Sequence, residues 1–230
     1  MPRVHGTYHH LMPSVRKLHD WPSTEQEALA IQQRLRRLVR VEPGPAGIRT
    51  AAGLDVAYRD NDRLIAVVTV VDVTSLSVLD TAVVHGRAEF PYISGLFAFR
   101  EAPPLLQALT RLDIEPDILV CDGHGLAHPR RFGLACHLGV LTDLPSIGVG
   151  KTAVGSYDQP GIHRGDHTPL LLDDEPVGRA LRTQANVKPV FVSVGHRTDL
   201  DTACDLILRL APKYRLPETT RTADHLGRTA

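Results

Sequence analysis

Asp55 interrupts an otherwise apolar run, AAGLDVAY, and a charge inside a sheet core is costly unless it is paired or binds a cation. Asp122 ends a second apolar run, DILVCD, and the carboxyl end of a strand is where open α/β sheets carry functional residues. If the two strands are neighbours, the two carboxylates meet. One of them then holds a proton at neutral pH, unless a divalent cation neutralises both. Oxygen-only donors favour Mg2+ or Mn2+ over zinc. Glu101, in LFAFREAPP, can complete the set from a helix start. Singly, each acid has an ordinary alternative: Asp55 as a turn-facing strand end, Asp122 as a helix cap, Glu101 as a solvated charge. Gathered on one fold, they point to a site for a hard divalent cation.

Several basic and aromatic residues suit a phosphate-bearing partner. Only four of the 26 cationic residues are lysines, and Lys151 is the only lysine between Lys17 and Lys188. It sits in GVGKT, just past a short strand, as a point charge able to reach a phosphate. The segment resembles the end of a P-loop, but Pro145 stands where the first glycine is required, which excludes an ATPase. In DGHGLAHPRR, His124 and His128 have the spacing of a helical zinc pair. Gly123 and Gly125 disfavour a helix there and no cysteine is near to complete a site. His128 is read either as a phosphate or base contact or as a histidine satisfied by a loop carbonyl. Tyr92, beside Pro91, is either a rigid aromatic tip suited to filling a gap in a base stack or an anchor on the core. For Phe97 and Phe99 the core is the better reading.

The elements that must position these residues follow from pattern. Ile48 to Tyr58, Leu64 to Val73 and Leu76 to His85 read as strands joined by short polar turns, giving an antiparallel meander. Helical spacing from Leu96 to Leu112 is expected to break in two at Pro103 and Pro104. A strand ending at Asp122, a helix from Arg131 to Thr142 and a brief strand SIGV follow. Val177 to Arg182 and Val190 to Val194 read as strands, Leu200 to Leu210 as a helix, and the basic tail as a last short helix. Ahead of the meander, Ser23 with Gln26 predicts a capping box for a helix through Ala28, Ile31, Leu35 and Leu38. The expected fold class is α/β, a ribonuclease-H-like mixed sheet flanked by helices in which the first strand pairs with the fourth. One domain spans 23–230, behind a loose extension over 1–22 that carries His5, His9, His10 and His19.

Composition narrows the class. The 230 residues balance 26 Lys+Arg against 26 Asp+Glu, so a general basic coat for nucleic acid is excluded while a local basic patch is not. No apolar run reaches membrane-spanning length and no secretory signal is recognisable. Three widely spaced cysteines (Cys121, Cys136, Cys204) fit a reducing compartment rather than a disulfide scaffold. A soluble, cytoplasmic monomer is expected.

GLDVAY, PYISGLFAFRE, ILVCDGHGLAHPRRFGLACHLG, PSIGVGK, VSVGHR and YRLPETTRTAD, in this order, resemble the endonuclease V family from about Ala30 to Arg228. The resemblance implies a ribonuclease-H-like nuclease that depends on Mg2+. It implies hydrolysis of the second phosphodiester bond 3′ to deoxyinosine in DNA, with inosine in RNA as an alternative substrate, leaving 3′-hydroxyl and 5′-phosphate ends. Carried over, Asp55 and Asp122 are the principal metal ligands, with Glu101 and Asp224 completing the acidic cluster. Tyr92 becomes the strand-separating wedge. Lys151, His128 and Arg100 serve the phosphate or the active-site network, and Gly95, Gly123 and Gly148 line a pocket for the extruded base. Arg215, Arg221 and Arg228 in the tail are candidates for further phosphate contacts. Ser94 stands where the family usually has proline, which would soften the wedge. Rival readings are a junction-resolving nuclease of the same fold, a nucleic-acid-binding module without chemistry and, more remotely, a phosphomonoesterase.

Overall fold

Thr50–Tyr58 (β1), Arg63–Asp72 (β2) and Val78–Arg87 (β3) form the expected antiparallel meander in the computed structural model, which describes residues 14–230. Asn61 and Asp62 both take left-handed backbone (φ 58°) in the β1–β2 turn. That is the two-residue hairpin geometry whose twist matches the strands, and short Asn and Asp side chains tolerate it. Ile118–Asp122 (β4) lies parallel to β1 on its other side, and Ser146–Gly150 (β5) lies parallel to β4. Ser156–Tyr157 (β6), His167–Leu172 (β7), Glu175–Leu181 (β8) and Val190–His196 (β9) complete one nine-stranded sheet of order β3-β2-β1-β4-β5-β9-β8-β7-β6.

Alternation along β1 and β4 splits the core into two layers. Ala52, Leu54, Leu119 and Cys121 face the helices Ala98–Leu109 (α2) and Leu134–Thr142 (α3), whereas Ala51, Ile118 and Val120 face Leu200–Leu210 (α4). Glu218–Thr229 (α5) lies on that second face, against β1 and β2. Cys121, Cys136 and Cys204 are buried and unpaired, one in the sheet and one in each helix layer.

Three expectations need correction. Pro103 and Pro104 do not break α2, which runs unbroken through both. Each proline removes a helix hydrogen bond, at about 3 kcal/mol or more. Ten of the twelve residues of α2 are buried, so packing outweighs that loss. The first helix, Glu25–Leu35 (α1), is capped by Thr24 with Glu27 rather than by Ser23 with Gln26. Glu27 accepts from the backbone of both Ser23 and Thr24, so one carboxylate serves both residues. The loose extension is docked over part of its length. The Arg16 backbone bonds to Leu141 (2.8 Å), and the His19 ring packs on Trp21, Phe99 and His137. His5, His9 and His10 lie outside the described residues. The strands β6 and β7 were not foreseen. Their hairpin partner β8 is reached through Asp173 and Asp174, both left-handed, a two-residue turn written without glycine.

Candidate active site

The pairing register of β1 and β4 ends at Leu54 opposite Cys121, so the next residue on each parallel strand, Asp55 and Asp122, is brought alongside the other. Their carboxyl groups lie within hydrogen-bonding reach. Burial, then the Asp122 carboxyl beside it, push Asp55 up to about 7. Lys151, just past β5, donates to Asp122 Oδ2. Burial, the largest single influence on the Lys151 ammonium, lowers its pKa, but the hydrogen bond and charge of Asp122, with the charges of Asp55 and Asp224, together raise it above the usual value.

Asp224 arrives by an unusually close helix–strand contact. A Cβ on Gly53 would lie 2.2 Å from the Thr219 carbonyl oxygen, and one on Gly227 would lie 3.2 Å from the Ala57 Cβ. Glycines at both ends thus let the α5 backbone rest on β1, with Asp224 between them on the helix and Asp55 between them on the strand. Asp224 adds to the negative field at Asp55 and is itself paired with Arg228 at 3.0 Å. Glu101 enters from the other helix layer. It is 3% exposed, and burial raises its pKa well above the usual carboxylate range, against the pull of a hydrogen bond from the Tyr58 hydroxyl. Burial, then Glu101, push Tyr58 up to about 12.

The four acids and Lys151 are near enough to act on one another's charge. Among the described residues no group of three or more His, Cys, Asp and Glu side chains already surrounds a single point. Asp55 and Asp122 supply two adjoining carboxylates and Lys151 holds the flank of Asp122. The donor set fits a hard divalent cation: all oxygen, partly desolvated, with Lys151 as the cation bonded to it.

That proton gives a testable pH dependence. Asp55 is raised from 3.8 to about 7, so between those values the folded state holds a proton that the unfolded chain has released. The site's contribution to stability is full below about pH 4 and is lost as pH rises through about 7. A divalent cation bound by the two carboxylates would take the proton's place. Mg2+ should therefore raise the melting temperature by several degrees at pH 8 and by little at pH 5. Thermal unfolding at both pH values, with and without Mg2+, checks this, and an equal gain at both would contradict it.

Beside the acids, where β4 runs into the Gly123 turn, a cavity of about 260 Å³ is lined by Ser94, Gly95, Gly123, His124, His128 and Leu134 among others. Gly148 is not among its lining residues. A Cβ there would lie 2.4 Å from the Gly125 nitrogen, so its place is beneath the 123–125 turn, which it allows to sit directly on β5. Tyr92, two residues before the cavity-lining Ser94, is 75% exposed, which removes the core-anchor alternative. Phe97 and Phe99 do pack in the core.

The cationic candidates divide. His128 Nε2 donates to the Gly95 carbonyl at 2.9 Å, and its Nδ1 accepts from the Arg130 backbone at 3.1 Å. Burial, then Arg130, lower His128 to about 4, so it is a neutral ring satisfied by a loop carbonyl. Arg100 is 7% exposed and turned inward. It donates to the Phe90 carbonyl (2.7 Å) and Asp62 (3.0 Å) and lies over the Tyr58 ring. The phosphate contact expected of Arg100 is not available to a side chain so placed; it belongs to the network behind Glu101. Arg215 is likewise committed, to the carbonyls of Lys151, Lys188 and Pro189. Arg221 stacks on Tyr214 and bonds to Glu218.

Two members of the site went unrecognised in the sequence. Tyr58 closes the GLDVAY run, and nothing in strand alternation marks it as a partner of Glu101. Gln32 is fully buried on α1. The available signal was a polar residue on the helix's apolar side.

The family described as Endonuclease V matches residues 32–225. Endonuclease V of Streptomyces avermitilis is 55% identical over 223 residues, covering 95% of this chain and 97% of that relative. A crystal structure from that organism superposes with a TM-score of 0.89, covering 94% of this chain and 96% of that one. Ciona intestinalis endonuclease V, solved with a 24mer DNA containing an inosine followed by a ribo-adenosine, is 26% identical at a TM-score of 0.79, covering 89% and 96%. The nine-stranded sheet with its flanking helices is the expected ribonuclease-H-like fold.

Proposed function

The chain belongs to the endonuclease V family, and from that premise we propose that it incises DNA at deaminated adenine, hydrolysing the second phosphodiester bond 3′ to deoxyinosine and leaving 3′-hydroxyl and 5′-phosphate ends. It is an endonuclease that hydrolyses DNA phosphodiester bonds, and its family is metal-dependent. The observation that carries the reading is the adjoining pair Asp55 and Asp122, one turn away from a cavity that begins at Gly123. The inosine-containing DNA held by the Ciona relative supports the choice of base.

Asp55 and Asp122 hold the metal, Mg2+ with Mn2+ able to substitute, and Glu101 and Asp224 complete the acidic cluster. Bound there, the cation supplies Lewis-acid stabilisation of charge on the phosphate and a more acidic water. The chain's own residues do the rest. Glu101, kept from solvent and fixed by Tyr58, sets the orientation of the acidic cluster from behind. The Lys151 ammonium stabilises negative charge as it grows on the phosphoryl oxygens. Gly95 and Gly123 line the pocket for the extruded base. A snug, backbone-lined pocket rejects adenine by donor–acceptor mismatch at position 6 and guanine by crowding at its 2-amino group. Extrusion costs least at a weakly paired site, which favours a deaminated base.

Tyr92 acts as the wedge. Tyr92→Ala should lower discrimination between inosine-containing and undamaged duplex roughly tenfold, one base-stacking contact, while the Mg2+ dependence of the rate stays in place. Competition cleavage on the two duplexes measures it, and an equal loss on every substrate would assign Tyr92 to the fold instead. The protein works as a monomer in the cytoplasm in this reading, and the three buried free thiols suit a reducing compartment. Among the described residues no helix is long and apolar enough to cross a membrane. Cleavage mapping on labelled inosine-containing DNA and RNA, and on junction DNA, with Mg2+, Ca2+ or chelator, tests the whole. Incision of the junction but not of the inosine duplex would replace this function with resolution of branched DNA.

A further inference from the structure

Gln32 lies on α1, outside the sheet, and is 0% exposed. A buried primary amide is costly unless its donors and acceptor are satisfied, and both ends of this one are. Nε2 donates to the Gly95 carbonyl at 3.0 Å and to the Phe132 carbonyl at 3.3 Å, and Oε1 accepts from Arg130 Nε. Arg130, so held, donates through Nη2 to the same Gly95 oxygen at 2.6 Å. His128 supplies a third donor to it. One carbonyl thus receives three side-chain donors, two of them from a single connected pair. Gly95 is left-handed (φ 77°), and a Cβ there would lie 2.6 Å from Arg130 Nη2, so glycine is what admits the guanidinium.

The loop from Phe90 to Gly95 is pinned at both ends in this way. Arg100 holds the Phe90 carbonyl, and the Gln32–Arg130 pair with His128 holds the Gly95 carbonyl. Between the pins, Tyr92 stands in solvent. A side chain that opens a base stack delivers binding energy only if the loop behind it does not yield.

We propose that Gln32 is a positioning residue for the strand-opening loop, holding Tyr92 at its working reach through Arg130 and the Gly95 carbonyl. The inference rests on the reading of the chain as an inosine endonuclease. A loosened loop should matter where two strands must be parted and hardly at all where there is only one.

Gln32→Met keeps the side-chain length and removes the hydrogen bonds. On inosine-containing duplex its kcat/KM should fall ten- to a hundredfold, roughly the loss of one or two buried hydrogen bonds, carried by KM rather than kcat. Gln32 also lines the base cavity, so single-stranded inosine DNA loses some rate too, but that loss should be at least about fivefold smaller than the loss on duplex, and the Mg2+ concentration for half-maximal rate should not move. Equal losses on both substrates, or none on either, would overturn the proposal. Should Gln32→Met not fold, Arg130→Met must show the same duplex-selective loss, and its absence overturns the proposal equally. Where both fold, the double variant should be no worse than Gln32→Met alone, because the two act as one unit. Wild-type protein that leaves both inosine substrates uncut with Mg2+ would sink the function itself; wild-type cleavage with indifferent variants sinks only the role of Gln32.

Discussion

Asp122→Ala should remove nicking of an inosine-containing duplex almost entirely, by about a thousandfold or more, as expected when a hydrolytic site loses a principal ligand. The same substitution should leave the fold intact. Asp122 is the last residue of β4, and the apolar Ile118, Leu119, Val120 and Cys121 that hold the strand between β1 and β5 are unchanged. In chelator the variant should melt no lower than wild type at pH 8, because above about pH 7 the Asp55 proton has already left and the substitution removes a like-charged neighbour. Asp122→Asn should be nearly as inactive, since it preserves shape and removes charge. Rate measurement on labelled duplex, with melting curves in chelator, provides the check. Near wild-type nicking by Asp122→Ala would show that the acidic pair is not the reaction centre.

Gly53→Ala is expected to be the most damaging single methyl group on the sheet. Its Cβ would sit 2.2 Å from the Thr219 oxygen and 2.8 Å from the Thr219 Cα. Backbone cannot swing aside as a side-chain tip can, so α5 must lift from β1. Overpacking of this kind costs about 1–3 kcal/mol and occasionally more, a melting temperature several degrees lower. Activity should fall with it, because the helix that lifts carries Asp224. Gly86→Ala is the control: its Cβ would meet only the Leu64 Cδ1, at 3.6 Å. If the two variants melt alike, the close docking of α5 is not what holds Asp224 over Asp55.

What the sequence made legible was the part written in periodicity and in misplaced charge. Three β-rich runs with polar turns are a meander, and an aspartate inside AAGLDVAY can be afforded only at a site. Nothing comparable marked the edge of the sheet. The β7–β8 hairpin turns through Asp173 and Asp174 rather than a glycine pair, and Pro169 and Pro176 within its strands argue against strand by propensity. Direction was illegible too. Arg100 precedes Glu101 in the same run, yet helix geometry turns it inward onto Tyr58 and Asp62. The chemistry of an arginine does not reveal which way the helix will point it. Gln32 failed for the complementary reason, since the partners that justify a buried amide come from Gly95 and Arg130, far along the chain.

The sulfur atoms add a practical consequence. Cys121 lies in the central sheet, Cys136 on α3 and Cys204 on α4; burial pushes Cys136 up to about 12 and Cys204 to about 11, and Cys121 is also raised. Alkylating reagents attack the thiolate, so native molecules should stay unlabelled and each adduct records a breathing event. Peptide mass mapping of the adducts would then say which of the three strata opened first, a tomography of unfolding that requires no engineered probe.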